Sequence, residues 1–122
     1  MQFQINRDIL LKSLSIAHNI IERKNTLPIL SNVLLEIKNN KLKIIATDLD
    51  LLFLDEISDF KVEKEGSTTT SATVLYDILK KLPSNTEVSF ALQSENKLNI
   101  TADKSKFNLL CLPVDNFPNL DE

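Results

Sequence analysis

Two aspartates stand one residue apart in "TDLDLLFLDE", as Asp48 and Asp50, with Asp55 and Glu56 following. On an extended segment Asp48 and Asp50 project from one face. Two carboxylates on one face can hold Mg²⁺ for phosphoryl transfer. That pattern suggests one activity, a metal-dependent nuclease. Aspartate is also an ordinary turn residue, and Asp48 falls where one strand should turn into the next. No histidine or third carboxylate is set beside the pair by spacing. His18, the one histidine, falls near the end of a helix-like pattern, where a cation suits the helix dipole. Cys111, the one cysteine, lies in an alternating apolar strand as a small hydrophobe. With a single glycine, Gly66, the chain has no glycine-rich loop to cradle a phosphate, and it shows no G-x-S-x-G or Cys/His metal spacing. No catalytic constellation and no cofactor or metal site emerge.

Basic pairs are the second chemical feature. Arg23 and Lys24 lie in "HNIIERKNTLPILSNVLLEI", between a helix-like and a strand-like pattern. Lys80 and Lys81 close a second helix-like pattern, and Lys104 and Lys106 open the last strand. The first two pairs hold equivalent places in two copies of one pattern, and are expected near the same ends of paired helices. Each can meet a phosphate, or serve a helix dipole as a solvated cation. The third pair suits an edge strand, where lysine blocks stray pairing and leaves an edge for a chosen partner.

The elements that carry these residues repeat in order. "MQFQI" alternates with Phe3 and Ile5 on one face. Asn6 is placed to cap a helix from Arg7 to about Ile21, where Leu10, Leu14, Ala17 and Ile21 form one stripe. Three strands follow: "SNVLLEIK", "KLKIIAT", and "DLDLLFLDEIS" continued by "DFKVE", the last with Leu49, Leu51, Phe53, Ile57, Phe60 and Val62 as its apolar set. The second copy opens with the threonine-rich "STTTS". Ser71 then caps "ATVLYDILKKL", which Pro83 ends. "EVSFALQ", "KLNITAD" and "KFNLLCLP" are again three strands. The offset between copies, about 65 residues, exceeds solenoid periods, so this is a duplicated half-domain. The predicted class is α+β: two β-α-β-β-β halves, with two helices packed on about eight mostly antiparallel strands.

The chain has 122 residues, 43% hydrophobic and 25% charged, which fits one soluble domain. A lone cysteine fits a reducing compartment. No apolar run approaches the roughly 18 residues of a membrane span, and the start lacks a signal-peptide pattern. A cytoplasmic protein is expected. The formal charge of -3 argues against an isolated domain that grips nucleic acid tightly, but not against a local basic patch.

"TLPILSNVLLE", "ATDLDL", "KSKFNLLCLP" and "DNFPNLDE" closely resemble the N-terminal domain of the bacterial sliding clamp family, the beta subunit of DNA polymerase III. The resemblance runs from Met1 to Glu122. It implies the DNA-clamp fold, with 1–122 as the first of three similar domains and the second and third absent from this chain. Two chains would close head to tail into a ring around duplex DNA and tether the replicative polymerase, with no catalysis and no cofactor. A polymerase label would belong to the complex. Lys24 falls where the family has a basic DNA-contacting residue, with Arg23 beside it. Two other basic family positions are Thr73 and Val74 here, which leaves Lys80 as the DNA contact of the second helix. Lys104, Lys106, Phe107 and Leu109 match the strand that pairs across the ring interface. Polymerase and clamp loader would bind mainly through the absent domains.

Overall fold

The computed structural model describes residues 1–21 and 28–118. The chain opens with β1 (Gln2–Asn6) and α1 (Arg7–Ile21). The Asn6 Oδ1 accepts the Asp8 amide at 2.8 Å, satisfying a donor that the helix start would leave orphaned. After a 3₁₀ turn at Pro28–Ser31 come β2 (Asn32–Lys38), β3 (Lys41–Thr47), β4 (Leu52–Ile57) and β5 (Lys61–Lys64). The second copy is β6 (Gly66–Ser71), α2 (Ala72–Lys81), β7 (Glu87–Ser94), β8 (Lys97–Ala102) and β9 (Ser105–Leu112), closed by a 3₁₀ turn at Val114–Asn116. The Ser71 hydroxyl accepts the Val74 amide at 3.2 Å and caps α2. That helix stops two residues before Pro83, whose ring cannot continue it.

Among the described residues nine strands form one antiparallel sheet, in the order β4-β3-β2-β6-β9-β8-β7-β1-β5. The two copies are interwoven. The first strand of each pairs with the other's group: β1 with β7, placing Phe3 opposite Phe90, and β6 with β2, placing Thr70 opposite Val33. Both helices lie against each other and against the sheet. Between them sits one core: Leu10, Leu14 and Ala17 from α1, Leu75 and Leu79 from α2, and the inward residues of the strands. Phe3 and Phe90 stack with ring centroids 4.7 Å apart, and Phe60 meets Phe3 edge-on at 6.0 Å. Gly66 is tied to the exchange. Its φ is 152°, and a Cβ there would lie 2.9 Å from the Met1 Cβ, so close approach of the chain start requires glycine.

The structure corrects the sequence reading in the first copy. The segment expected as one long third strand is two strands, β4 and β5, at opposite edges of the sheet. Residues 48–51 are a turn. The Asp48 Oδ1 accepts the amides of Asp50 at 2.9 Å and Leu51 at 2.8 Å. The Thr47 hydroxyl accepts the Leu49 amide at 3.0 Å and donates to the Leu51 carbonyl at 2.6 Å. These bonds hold Leu49 at φ 81°, a conformation that leucine rarely adopts. Leu49 and Leu51 are therefore exposed rather than turned inward. β9 is also not an outermost strand. It lies inside the sheet, paired to β8 from Ser105 to Leu110 and to β6 at Cys111 and Leu112, where the Thr70 hydroxyl also donates to the Leu110 carbonyl.

Candidate nucleic-acid interface

The helices bury one stripe each and turn another stripe away from the sheet. On α1 the exposed residues are Asp8, Lys12, Ile16 and Asn19. On α2 they are Thr73, Val74, Asp77, Lys80 and Lys81. Three lysines against two aspartates make this face mildly basic on a chain whose net charge is -3. Lys12 belongs to none of the basic pairs. Its signal is in the sequence: it falls off the Leu10–Leu14–Ala17 stripe, four residues after Asp8, and so must face outward.

Lys80 is held on this face. Its ammonium lies 4.5 Å from the centre of the Tyr76 ring, one helical turn back. The nearest Asp77 oxygen is 3.9 Å away, too far for a hydrogen bond. His18 from α1 stacks on the same tyrosine, with centroids 4.4 Å apart and planes 20° from parallel. The one histidine therefore lies in the last turn of α1, as its position implied, and also packs across to the second helix.

The helix ends meet through a polar network. The Arg7 Nε donates to the Leu79 carbonyl at 2.8 Å, capping the end of α2. Its Nη1 donates to the Asp8 carboxylate at 2.7 Å. The other Asp8 oxygen accepts the Asn85 amide at 3.1 Å, and Asn6 donates to Asn85 at 2.7 Å. The last turn of α2 thus adjoins the first turn of α1. Lys80 and Lys81 therefore lie at the end of α2 that meets the start of α1, and the expectation that they share an end with Arg23 and Lys24 falls on residues outside those described. Arg23 and Lys24 lie outside the described residues.

The Arg7 hydrogen bond, then the Asn85 amide, pull the Asp8 pKa below its ordinary value of 3.8. A carboxylate whose folded pKa is depressed stabilises the fold above its unfolded pKa, and that contribution is lost as pH falls through the folded pKa. Asp8→Asn is therefore expected to lower the melting temperature slightly at pH 7, since the carboxylate is exposed. The gap should close in acid. Thermal melts of both proteins from pH 7 to pH 2 check this. A constant gap over that range would assign the loss to something other than the charge.

The D-x-D pair does not form a paired-carboxylate face. Asp48 is spent on the turn described above, and Asp50 is exposed beside it. Among the described residues no three of His, Cys, Asp or Glu come together as a metal site. Burial pushes the Cys111 thiol pKa up, which suits a core residue and not a nucleophile.

The last strand offers a second surface. Among the described residues no strand pairs with the β6-facing side of Ser105–Leu109. Phe107 is half-buried at the margin of the core, Lys106 is exposed, and Lys104 is exposed in the turn before β9. Leu109 is turned inward, with 5% of its surface accessible. Thus Lys104, Lys106 and Phe107 are presented beside an open stretch of backbone, whereas Leu109 belongs to the domain's own core.

Among the described residues no helix is long and apolar enough to cross a membrane. The family model for the N-terminal domain of the DNA polymerase III beta subunit matches residues 1–121. The beta sliding clamp of Caulobacter vibrioides is 40% identical over 119 residues, 97% of this chain and 32% of that protein. That of Escherichia coli K12 is 34% identical over 122 residues, 100% of this chain and 33% of that protein. Among solved structures, the pol III beta of Caulobacter crescentus superposes with a TM-score of 0.91 at 40% identity, over 99% of this chain and 32% of that one. A sliding clamp from Bartonella birtlesii bound to griselimycin gives 0.94 at 37% identity, over 100% of this chain and 32% of that one. The chain spans about a third of the length of these relatives. With the interwoven duplicated halves and the helix pair in place, the chain belongs to the DNA polymerase III beta subunit family and matches its N-terminal domain.

Proposed function

We propose that this chain is the first domain of a DNA sliding clamp, a non-catalytic processivity factor that encircles duplex DNA and tethers the replicative polymerase in the cytoplasm. The observation that carries the reading is the family match over residues 1–121, with the fold of the clamps kept throughout. In this reading two further domains complete each subunit, and two subunits close head to tail. The polymerase and the clamp loader engage mainly the other domains. The outer face of α1 and α2 turns toward the DNA, where Lys80 meets phosphates without reading sequence, and Arg23 and Lys24 are further phosphate contacts. Lys104, Lys106 and Phe107 lie at the seam of the ring, with Leu109 supporting them from the core.

The small surplus of lysine suits this role. A closed ring keeps its DNA by topology, so weak phosphate contacts are enough, and tight ones would impede sliding. No cofactor enters the function. The nuclease alternative finds no support, because the Asp48 carboxylate is engaged with backbone amides.

Replacing Arg23 and Lys24 together by alanine, in a full-length protein carrying this domain, tests the phosphate reading. Loading onto DNA should weaken, and the salt dependence of binding should flatten by about two phosphate contacts at most. Stability should move by only a few tenths of a kcal/mol, as about ±0.5 is usual for surface changes. Unchanged loading with an unchanged salt slope would return the pair to plain solvated cations.

A further inference from the structure

We infer that Tyr76 is a positioning residue for DNA contact: its ring, stacked on His18 of the neighbouring helix, shares the Lys80 ammonium with Asp77 and keeps it from closing onto that carboxylate, so that it stays available to a backbone phosphate. The inference rests on the reading of Lys80 as a phosphate contact. Two groups compete for that ammonium. One is the Tyr76 ring, whose centre is 4.5 Å away. The other is the Asp77 carboxylate, 3.9 Å away at its nearest oxygen. The first distance is within the range of a cation–π contact. The second is a loose ion pair, longer than a hydrogen bond, so the ring and the carboxylate share the ammonium.

The two competitors differ in what they leave for DNA. A ring face attracts the cation through its quadrupole but carries no net charge, so the lysine keeps its full charge for a phosphate. A close carboxylate would neutralise it. A lysine paired inside the protein contributes less to counterion release when DNA arrives. The ring itself is fixed from the other helix, since His18 stacks on it at 4.4 Å with planes 20° apart. Tyr76 also packs against the core, so losing the stack would loosen the ring rather than free it, and would let the lysine close toward Asp77. The stack therefore ties the position of a cation on α2 to the packing of α1.

The test uses this chain with a fluorescent 20-base-pair duplex, titrated by anisotropy at several salt concentrations below physiological. The slope of log affinity against log salt counts phosphates neutralised, at about 0.9 per contact. Lys80→Ala should lower the slope by about that amount. Tyr76→Leu, which keeps apolar bulk, should lower it nearly as far although the lysine is still present. Tyr76→Phe keeps the ring and should leave the slope as in the parent chain. Tyr76→Leu combined with Asp77→Asn should restore it, because the competing carboxylate is gone. A purely structural role for Tyr76 would not produce that rescue. If Lys80→Ala leaves the slope unchanged, the phosphate reading of Lys80 falls. If Lys80→Ala lowers the slope but Tyr76→Leu does not, or the Asp77→Asn rescue fails, the role of Tyr76 falls while that of Lys80 stands. Should Tyr76→Leu not fold, His18→Gln removes the backing ring from α1, and an unchanged slope in that variant overturns the inference.

Discussion

Phe107→Ala together with Lys106→Glu, in a full-length protein carrying this domain, is expected to turn a ring dimer into monomers. The β6-facing side of Ser105–Leu109 lacks a strand partner among the described residues, so this stretch offers backbone groups for pairing across a seam. Phe107 is half-buried at its margin and Lys106 is exposed. An aromatic anchor at a buried interface is commonly worth about 2 kcal/mol or more, and reversing a charge against a complementary patch adds repulsion. A combined loss of about 3–4 kcal/mol would weaken association by two to three orders of magnitude. Leu109 is left intact because it is buried in this domain's own core, and its removal would confuse unfolding with dissociation. Sedimentation velocity reads the outcome, with a thermal melt to show that the domain stays folded. An intact dimer in the folded double mutant would mean that β9 is not the seam.

Phe90→Ala is expected to cost about 3–5 kcal/mol of folding stability, the usual price of emptying an aromatic core site. Against a total of about 5–15 kcal/mol, that leaves little in reserve. Phe90 is 1% exposed and stacks on Phe3 at 4.7 Å. The two rings come from β7 and β1, so they bind the first strand of one copy into the strands of the other. Leu110→Ala is the matched control. Leu110 is on β9 but 80% exposed, and its loss should stay within about 0.5 kcal/mol. Urea denaturation of both variants distinguishes them. Equal costs would show that the Phe3–Phe90 stack is not the joint between the halves.

The helices were legible because their signals are local. The Leu10–Leu14–Ala17–Ile21 spacing fixes one face of α1, and Asn6 and Ser71 supply side-chain oxygens where amides need acceptors. β2 and β3 were legible from strict alternation. The third strand was not, because Leu51, Leu52, Phe53 and Leu54 are apolar without a gap, so alternation there has no phase. What ends the preceding strand is the Asp48 side chain bonding to its own turn, which its residue type and place indicate although periodicity does not. The exchange of β1 and β6 was also hidden, since it pairs residues far apart in the chain. The same exchange places β9 inside the sheet when its sequence reads as an edge.

The candidate interface divides in a similar way. Lys80 in the last turn of α2 follows from helix length alone, and Lys12 follows from the stripe it avoids. The stack of His18 on Tyr76 depends on how two helices cross, and no spacing in either helix reports it. The surface places of Thr73 and Val74 are observed as exposed positions on α2, and Val74 is 43% exposed. Neither supplies a charge, so the basic character of this face rests on Lys12, Lys80 and Lys81 among the described residues.

The most direct test of the sliding-clamp reading is retention on DNA of defined topology. A full-length protein carrying this domain would be loaded onto a closed circular plasmid with its clamp loader, and then passed through a sizing column at high salt. Salt screens phosphate contacts, so binding by contact alone is removed while a topological link remains. Retention on the closed circle, and loss once a single cut lets the ring slide off the end, is the predicted result. Equal retention on closed and cut DNA, or loss from both at high salt, would contradict encirclement and with it the function proposed for this chain.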